Sequence, residues 1–406
     1  MEVNMAENRD EKTSMPTNQT VPDQAGNPEY SLLAPGPVNL HPEVRKILQL
    51  PMIHHRTPQF DGILKRVLER IKPIFGTTQP VYIHSSTGSG GMESLLVNVL
   101  SPGDEVLALV SGKFGERWAE MAEVFGARVH TLTIPWGESA NPKSVREFLL
   151  QHPKTRAVLC QSCETSTGSL HPIQELGSVI SEFEDCLFLV DGITAVGAYP
   201  LPMDEFKIDG LVAGSQKAFM LPTGLSMVSF SAKAQKFFSL AKMPRYYFDV
   251  RREQKANERG ETFFSSSVLL IRALDVVLDL ILNKGLDNHF REIHQRAEVT
   301  RQVAPLFGFS IYPKNPSDSL SALVVPAGLD GQKMREHLET QHNVTIMGGQ
   351  DQMRGRLLRI GHMGHITAAE MKNLFQALAF TLRDFGISIS DMTVRQAQDL
   401  AERGLK

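Results

Sequence analysis

Cysteine is scarce: the chain has 3 in 406 residues. So small and odd a number argues against a disulfide framework and fits a reducing cytoplasm, where we expect the protein. Cys160 and Cys163 form a C-x-x-C. Zinc would need two further ligands at short spacing, and only His171 lies close by. The alternative is one cysteine in a buried strand and one in the loop after it, so the pair is not taken as a metal site. A charge excess is also lacking. Lys and Arg number 42 against 45 Asp and Glu, a net charge of -3. That gives no reason to expect nucleic acid or an anionic membrane as a partner. No apolar run is long enough to cross a bilayer. The opening "MEVNMAENRDEKTSMPTNQTVPDQAGNPE" lacks the apolar core of a secretion signal. Its apolar surface is too small to offset the entropy of ordering, so a disordered polar tail is expected over residues 1–28.

Beyond this tail the chain has a regular rhythm. "VYIHSS", "DEVLALV", "RVHTLTI", "RAVLC", "CLFLVD" and "DGLVAGS" are short apolar strands, and "SMVSFS" is expected to close one edge. "GMESLLVNVL" and "FGERWAEMAEVFG" between them have helical periodicity, with Met92, Leu95, Leu96 and Val99 on one face and Trp118, Met121 and Ala122 on another. Apolar strands separated by helices imply an α/β fold, a mostly parallel sheet covered on both faces. The length suggests a large domain over 29–290 and a smaller α+β domain over 291–406, with the first residues of the former packing on the latter. A long helix is expected from about Ser266 to Leu282. The strands "FSIYP", "ALVVP", "NVTIMGG" and "LLRIGHM" then flank the helices "GQKMREHLETQH" and "AAEMKNLFQALAFTLRDFG".

Ligands of open parallel sheets bind outside the carboxyl ends of the strands, and four polar clusters fall there. "STGSGGME" combines glycines with a helix N-terminus, an anion-binding arrangement in which Thr87, Gly88 and Ser89 can meet a phosphate. It is equally a capped helix after a tight turn. "CETSTG" is a hydroxyl-rich loop of a kind common in ordinary turns. Asp191 ends "CLFLVD", either capping the next turn or holding its charge against a cationic ring nitrogen. Lys217, in "AGSQKAFMLPTG", ends a buried strand, where its amine loses proton affinity and becomes a usable nucleophile. One cofactor meets all four demands. Pyridoxal 5'-phosphate has a phosphate, an aldehyde that condenses with lysine, and a pyridine nitrogen that wants an anionic partner.

At these residues the chain resembles the class V aminotransferases, of the fold type I architecture. "DGLVAGSQKAFMLPTGLSMVSFS" is similar to their cofactor-lysine segment, and "LLAPGPVNLHPEV", "HHRTPQF", "SGKFGERWAEMAEVFGARVH", "ETSTGSLHPI" and "RLLRIGHMG" stand in family order. The alanine–glyoxylate and serine–glyoxylate (serine–pyruvate) transaminases are the most similar branch. The resemblance implies that Lys217 bonds the cofactor and moves the proton at the substrate Cα. It further implies that Asp191 pairs with the pyridine nitrogen, that Thr87, Gly88, Ser89 and Gln216 hold the phosphate, and that Ser166 bonds the ring-oxygen side. By the same resemblance Phe114 stacks on the ring, and Arg359 grips the substrate carboxylate. Thr262 reaches the phosphate of a neighbouring subunit, which implies a homodimer with shared sites. "GETFFSSS" departs from the family's "TPP", and His54 stands where many relatives have glycine.

The activity implied is transfer of an amino group from a small amino acid, alanine or serine, to glyoxylate or pyruvate. Aspartate, ureidoglycine or an aminophosphonate are alternative donors. β-Lyase chemistry is disfavoured, because no cysteine comes after Cys186 and Gln216 stands where those enzymes have histidine. A non-catalytic cofactor-binding regulator is the other alternative.

Overall fold

The computed structural model describes residues 30–405. The polar tail expected over 1–28 lies outside the described residues. Seven strands form the central sheet: β1 (Val81–His84), β2 (Glu105–Val110), β3 (Arg128–Thr133), β4 (Thr155–Gln161), β5 (Leu187–Asp191), β6 (Gly210–Gly214) and β7 (Ser226–Phe230). They lie in the order β1-β7-β6-β5-β4-β2-β3. All run parallel except β7, which pairs antiparallel with β1 and β6.

The expectation that β7 closes an edge is corrected: it is an interior strand. The turn after β6 sends the chain straight back, so that Ser226 faces Gly214 on one side and His84 on the other. Its five residues are all buried, whereas β3, a true edge, is exposed or half-buried throughout.

The parallel strands alternate between two covered faces, which is why they are apolar almost throughout. Leu107, Leu109, Val158, Phe188, Val190 and Leu211 point to one core with Phe60, Leu64 and Val67 of the helix Pro58–Arg70 and Leu274, Val277 and Leu278 of the helix Val268–Lys284. Val106, Leu159, Leu187, Leu189 and Val212 point the other way. They meet Met92, Leu95, Leu96 and Val99 of Gly88–Val99 and Trp118 and Ala122 of Lys113–Val124.

A second antiparallel sheet holds Ser310–Ile311, Leu320–Val324, Leu357–Gly361 and Met347–Gly348, in that order. The helices Gly331–His342, Ala368–Asp384 and Asp391–Gly404 share a separate apolar cluster with it. "NVTIMGG" is two strands rather than one: Val344–Thr345 pairs parallel with Ser31–Leu32, and Met347–Gly348 joins the sheet. Residue 290 lies inside the helix Leu286–Val303. Near its start His289 bonds the Gly197 carbonyl at 2.9 Å, and near its end Val299 and Val303 enter the second cluster.

The segment after Ser31–Leu32 is clamped to the strand Leu357–Gly361. The N–H of Gly361 donates to the Leu33 carbonyl at 2.7 Å, and a Cβ at 361 would run into the Ala34 carbonyl. Backbone cannot yield there as a side chain would. Gly361→Ala is therefore expected to lower the unfolding free energy by about 1–3 kcal/mol, the usual cost of overpacking. Chemical denaturation followed by circular dichroism measures it.

Candidate active site

Five parallel strands deliver their carboxyl ends to one cavity of about 110 Å³. After β1 come Thr87, Gly88 and Ser89; after β2, Phe114 and Arg117; after β4, Thr165; after β5, Asp191, Ile193 and Thr194; after β6, Gln216 and Lys217. Seven residues singled out in the sequence line this space: Thr87, Gly88, Ser89, Phe114, Asp191, Gln216 and Lys217.

Lys217 is set by the tight turn after β6, in which the N–H of Met220 donates to the Lys217 carbonyl at 3.0 Å. Its Nζ donates to the Pro35 carbonyl at 2.6 Å. That approach requires glycine next in sequence, because a Cβ on Gly36 would overlap Nζ and the adjoining methylenes. Burial pushes the ammonium down to about 8; the Arg359 charge pushes the same way, while Asp191 opposes.

Asp191 is the last residue of β5, the strand beside β6. Its Oδ1 accepts from the Ile193 N–H at 2.9 Å. Burial raises the carboxyl to about 6, with the Ile193 hydrogen bond and Lys217 holding it back.

Arg359 does not line the cavity, yet its charge is felt there. It is 7% exposed on the strand Leu357–Gly361, donating through Nε to the Gly348 carbonyl at 2.9 Å and through Nη1 to the Thr165 carbonyl at 2.8 Å. Burial lowers its guanidinium to about 10, and the Glu164 carboxylate is the largest opposing influence.

Ser166 is fully buried behind the wall, where its hydroxyl donates to Glu164 Oε1 at 2.5 Å; Thr165 takes the place at the cavity. Thr262 lies outside this chain's cavity, beside Ser85, Glu253 and Phe264, with its hydroxyl on the Phe264 carbonyl at 2.7 Å. His54 sits exposed before the helix Pro58–Arg70, its ring tilted against His55. Cys160 and Cys163 are unpaired and buried, Cys163 held against Ser319. His171 is engaged by Ser111 and by the Ala140 N–H instead.

Residues 45–369 match the family described as aminotransferase class-V. The chain belongs to that family.

This aminotransferase is 35% identical over 365 residues to the L-aspartate–glyoxylate aminotransferase of Paracoccus denitrificans, spanning 88% of this chain and 92% of the relative. It is 30% identical to the serine–glyoxylate aminotransferase of Methylorubrum extorquens, over 88% and 92%. The crystal structure of the alanine–glyoxylate aminotransferase from Nostoc superposes with a TM-score of 0.84 at 29% identity, covering 88% of this chain and 96% of that one. The architecture is fold type I, and the enzyme is a pyridoxal 5'-phosphate-dependent aminotransferase.

The residues present fit that cofactor. The helix Gly88–Val99 has no side-chain cap. Its first backbone bond runs from the Gly91 N–H to the Thr87 carbonyl, so the N–H groups of Gly88, Ser89 and Gly90 precede any intrahelical partner. Such an end suits a phosphate. Gln216 Oε1 beside it is buried with no partner among the described residues, and turning the amide presents its NH₂ instead. Across the cavity, buried Asp191 suits a cationic ring nitrogen.

Glu164 has a role that its place in a polar loop does not announce. Its carboxylate accepts from the N–H groups of Phe114, Gly115 and Ser166 and from the Ser166 hydroxyl. It thereby caps the helix Lys113–Val124, which has no side-chain cap of its own. Arg117 is a second cavity residue that sequence reasoning passes over; its guanidinium lies 4.9 Å from the Phe114 ring centroid. The i, i+3 spacing of an aromatic and an arginine is the available signal.

In cofactor-free protein the amine at 217 should half-react with an acylating reagent at about pH 8, against about 10.4 for exposed lysines. Between these values the folded chain holds fewer protons than the unfolded one. The stability penalty is therefore full below about pH 8 and fades as pH rises toward the unfolded value. Arg359→Met should raise the midpoint and Asp191→Asn should lower it, as mapped by competitive labelling from pH 6 to 11.

Proposed function

We propose that this enzyme transfers an amino group from a small amino acid, alanine or serine, to glyoxylate, with pyruvate as an alternative acceptor. The observation that carries this reading is that Arg359 is fastened to the carbonyl of Thr165, which lines the same cavity as Lys217. A carboxylate and its Cα are one bond apart. An amino acid held by its carboxylate on the Arg359 fork therefore brings Cα–H to a nearby lysine Nζ. Glyoxylate is the acceptor in the names of the Paracoccus, Methylorubrum and Nostoc enzymes, which supports it for this chain. Aspartate is the second reading for the donor, favoured by the Paracoccus relative.

Thr87, Gly88, Ser89 and Gln216 hold the phosphate, Asp191 pairs with the ring nitrogen, and Phe114 covers the ring. Ser166 acts at one remove, donating to Glu164 and accepting the Lys113 N–H at 3.2 Å. When bound, pyridoxal phosphate supplies an aldehyde that takes up the amino group and a cationic ring that accepts the electron pair of the Cα–H bond. Lys217 Nζ, its proton affinity lowered by burial, takes the Cα proton and returns it one position away. Arg359 keeps the carboxylate fixed while the proton moves. Phe114 and Ile193 exclude water from the ring side.

A homodimer is supported by Thr262, which lies outside its own chain's cavity, and by the exposed aromatics Tyr246, Tyr247 and Phe263 around it. Three buried free thiols support a cytoplasmic setting. Among the described residues no helix is long and apolar enough to cross a membrane.

A spectroscopic screen of amino donors against the yellow holoenzyme tests the reading. Stoichiometric alanine or serine should convert the cofactor band; conversion by aspartate alone would move the donor assignment. Lys217→Ala should leave no borohydride-fixed cofactor on the 217 peptide and reduce turnover by at least about a hundredfold. An ion pair at ~4 Å with an effective dielectric near 20 is worth about 4 kcal/mol. Asp191→Asn should accordingly lose on the order of a thousandfold in kcat/KM.

A further inference from the structure

A second cluster of ligating side chains lies on two helices that pack with the small antiparallel sheet, and none of its residues lines the cofactor cavity. His337 and His342 belong to the helix Gly331–His342, and Asp384 ends the helix Ala368–Asp384. One ring nitrogen of each histidine and a carboxylate oxygen of Asp384 all lie within 4.8 Å of one another.

His337 Nε2 faces Asp384 Oδ2 at 3.3 Å. A charge-assisted N–H···O bond would close to about 2.7–2.9 Å. Two ligands about 2.0–2.1 Å from a tetrahedral metal instead stand about 3.3–3.4 Å apart. The other nitrogen, Nδ1, lies 3.2 Å from the hydroxyl of buried Thr381. With a proton on Nδ1 donated there, the Nε2 lone pair and the carboxylate oxygen face one another across a gap that a shared cation fills. Metal-bound histidines are oriented in this way by a partner on the second nitrogen.

His342 adds a further sign. Its Nε2 is buried with no partner among the described residues. The exposed Asp384 side chain is free to close the remaining distance.

One other cluster has comparable composition, Glu105 with His130 and His152. There the Arg128 guanidinium sits 3.1 Å from Glu105 Oε1, which neutralises the carboxylate and repels a cation.

We propose that His337, His342 and Asp384 form a site for a divalent transition metal, with zinc as the fitting ion and a fourth position open to water. Two imidazoles and a carboxylate suit zinc, and equally nickel or copper by donor type. Bound metal would pin the C-terminal end of one helix to that of the next, a structural clamp remote from the chemistry.

The test is calorimetric titration of chelator-treated holoenzyme with zinc chloride at pH 7.5, in phosphate-free buffer. The expected result is one ion per chain at micromolar or tighter Kd, with a rise in Tm at saturating zinc. His337→Ala and His342→Ala should each weaken binding at least tenfold and abolish the Tm rise, while His130→Ala leaves both unchanged. Circular dichroism of the metal-free variants separates loss of ligand from loss of fold, and Asp384→Asn, on an exposed side chain, provides a third variant. Absence of stoichiometric binding would overturn the proposal. So would binding indifferent to His337, His342 and Asp384, or binding that depends on His130.

Discussion

The site rests on the burial of one amine. Lys217 is partly buried at the cavity wall, and an ammonium there is disfavoured because part of its hydration is lost. The cost is tolerable because the amine can shed its proton near neutral pH and because the Pro35 carbonyl accepts from it. Everything else at the cavity depends on how a fold can place a lysine so deep. It has to leave a strand whose neighbours are covered on both faces, and β6 is such a strand. Charges of both signs must then stand close enough to tune it. Asp191 comes from the adjacent parallel strand, while Arg359 comes from the other sheet altogether.

These two charges act in opposition, and their origins account for the architecture. Asp191 needs only the register of β5 beside β6, a local consequence of parallel pairing. Arg359 depends on the docking of the small sheet, which is fastened through the first described residues. Ser31–Leu32 pairs with Val344–Thr345, Gly361 abuts Ala34, and Pro35 then reaches Lys217. One short extended segment therefore ties Arg359 to Lys217.

How much of this was legible in the sequence divides along physical lines. Asp191 and Lys217 were readable because an apolar run that ends abruptly in one charged residue is hard to place except where a buried strand leaves the core. The helix start at Thr87 was readable from its glycines. The place of β7 was not, since an antiparallel insertion depends on the turn after β6 and on pairing with β1, some 140 residues earlier in the chain. Ser166 and Arg359 illustrate another limit. Both were found by resemblance, and both stand behind the cavity wall because their partners, Glu164 and the Thr165 carbonyl, come from packing that no local pattern specifies. The helices Pro58–Arg70, Leu286–Val303 and Asp391–Gly404 carry no expectation in the sequence reading.

The loop "CETSTG" is the informative case. Taken alone it is an ordinary turn, and four of its polar groups prove to be spent on holding other elements rather than on ligand. Glu164 caps the helix that carries Phe114 and Arg117. The Thr165 carbonyl accepts from Arg359, and its hydroxyl meets Thr194 beyond Asp191 at 3.1 Å. The Gly168 carbonyl receives the Ser317 N–H from the far side of the chain at 2.9 Å. A buried carboxylate left without donors would be costly, so Glu164 can be retained only if Phe114, Gly115 and Ser166 stay where they are. That mutual dependence makes the loop a rigid coupling. It links the position of Phe114 to the position of Arg359.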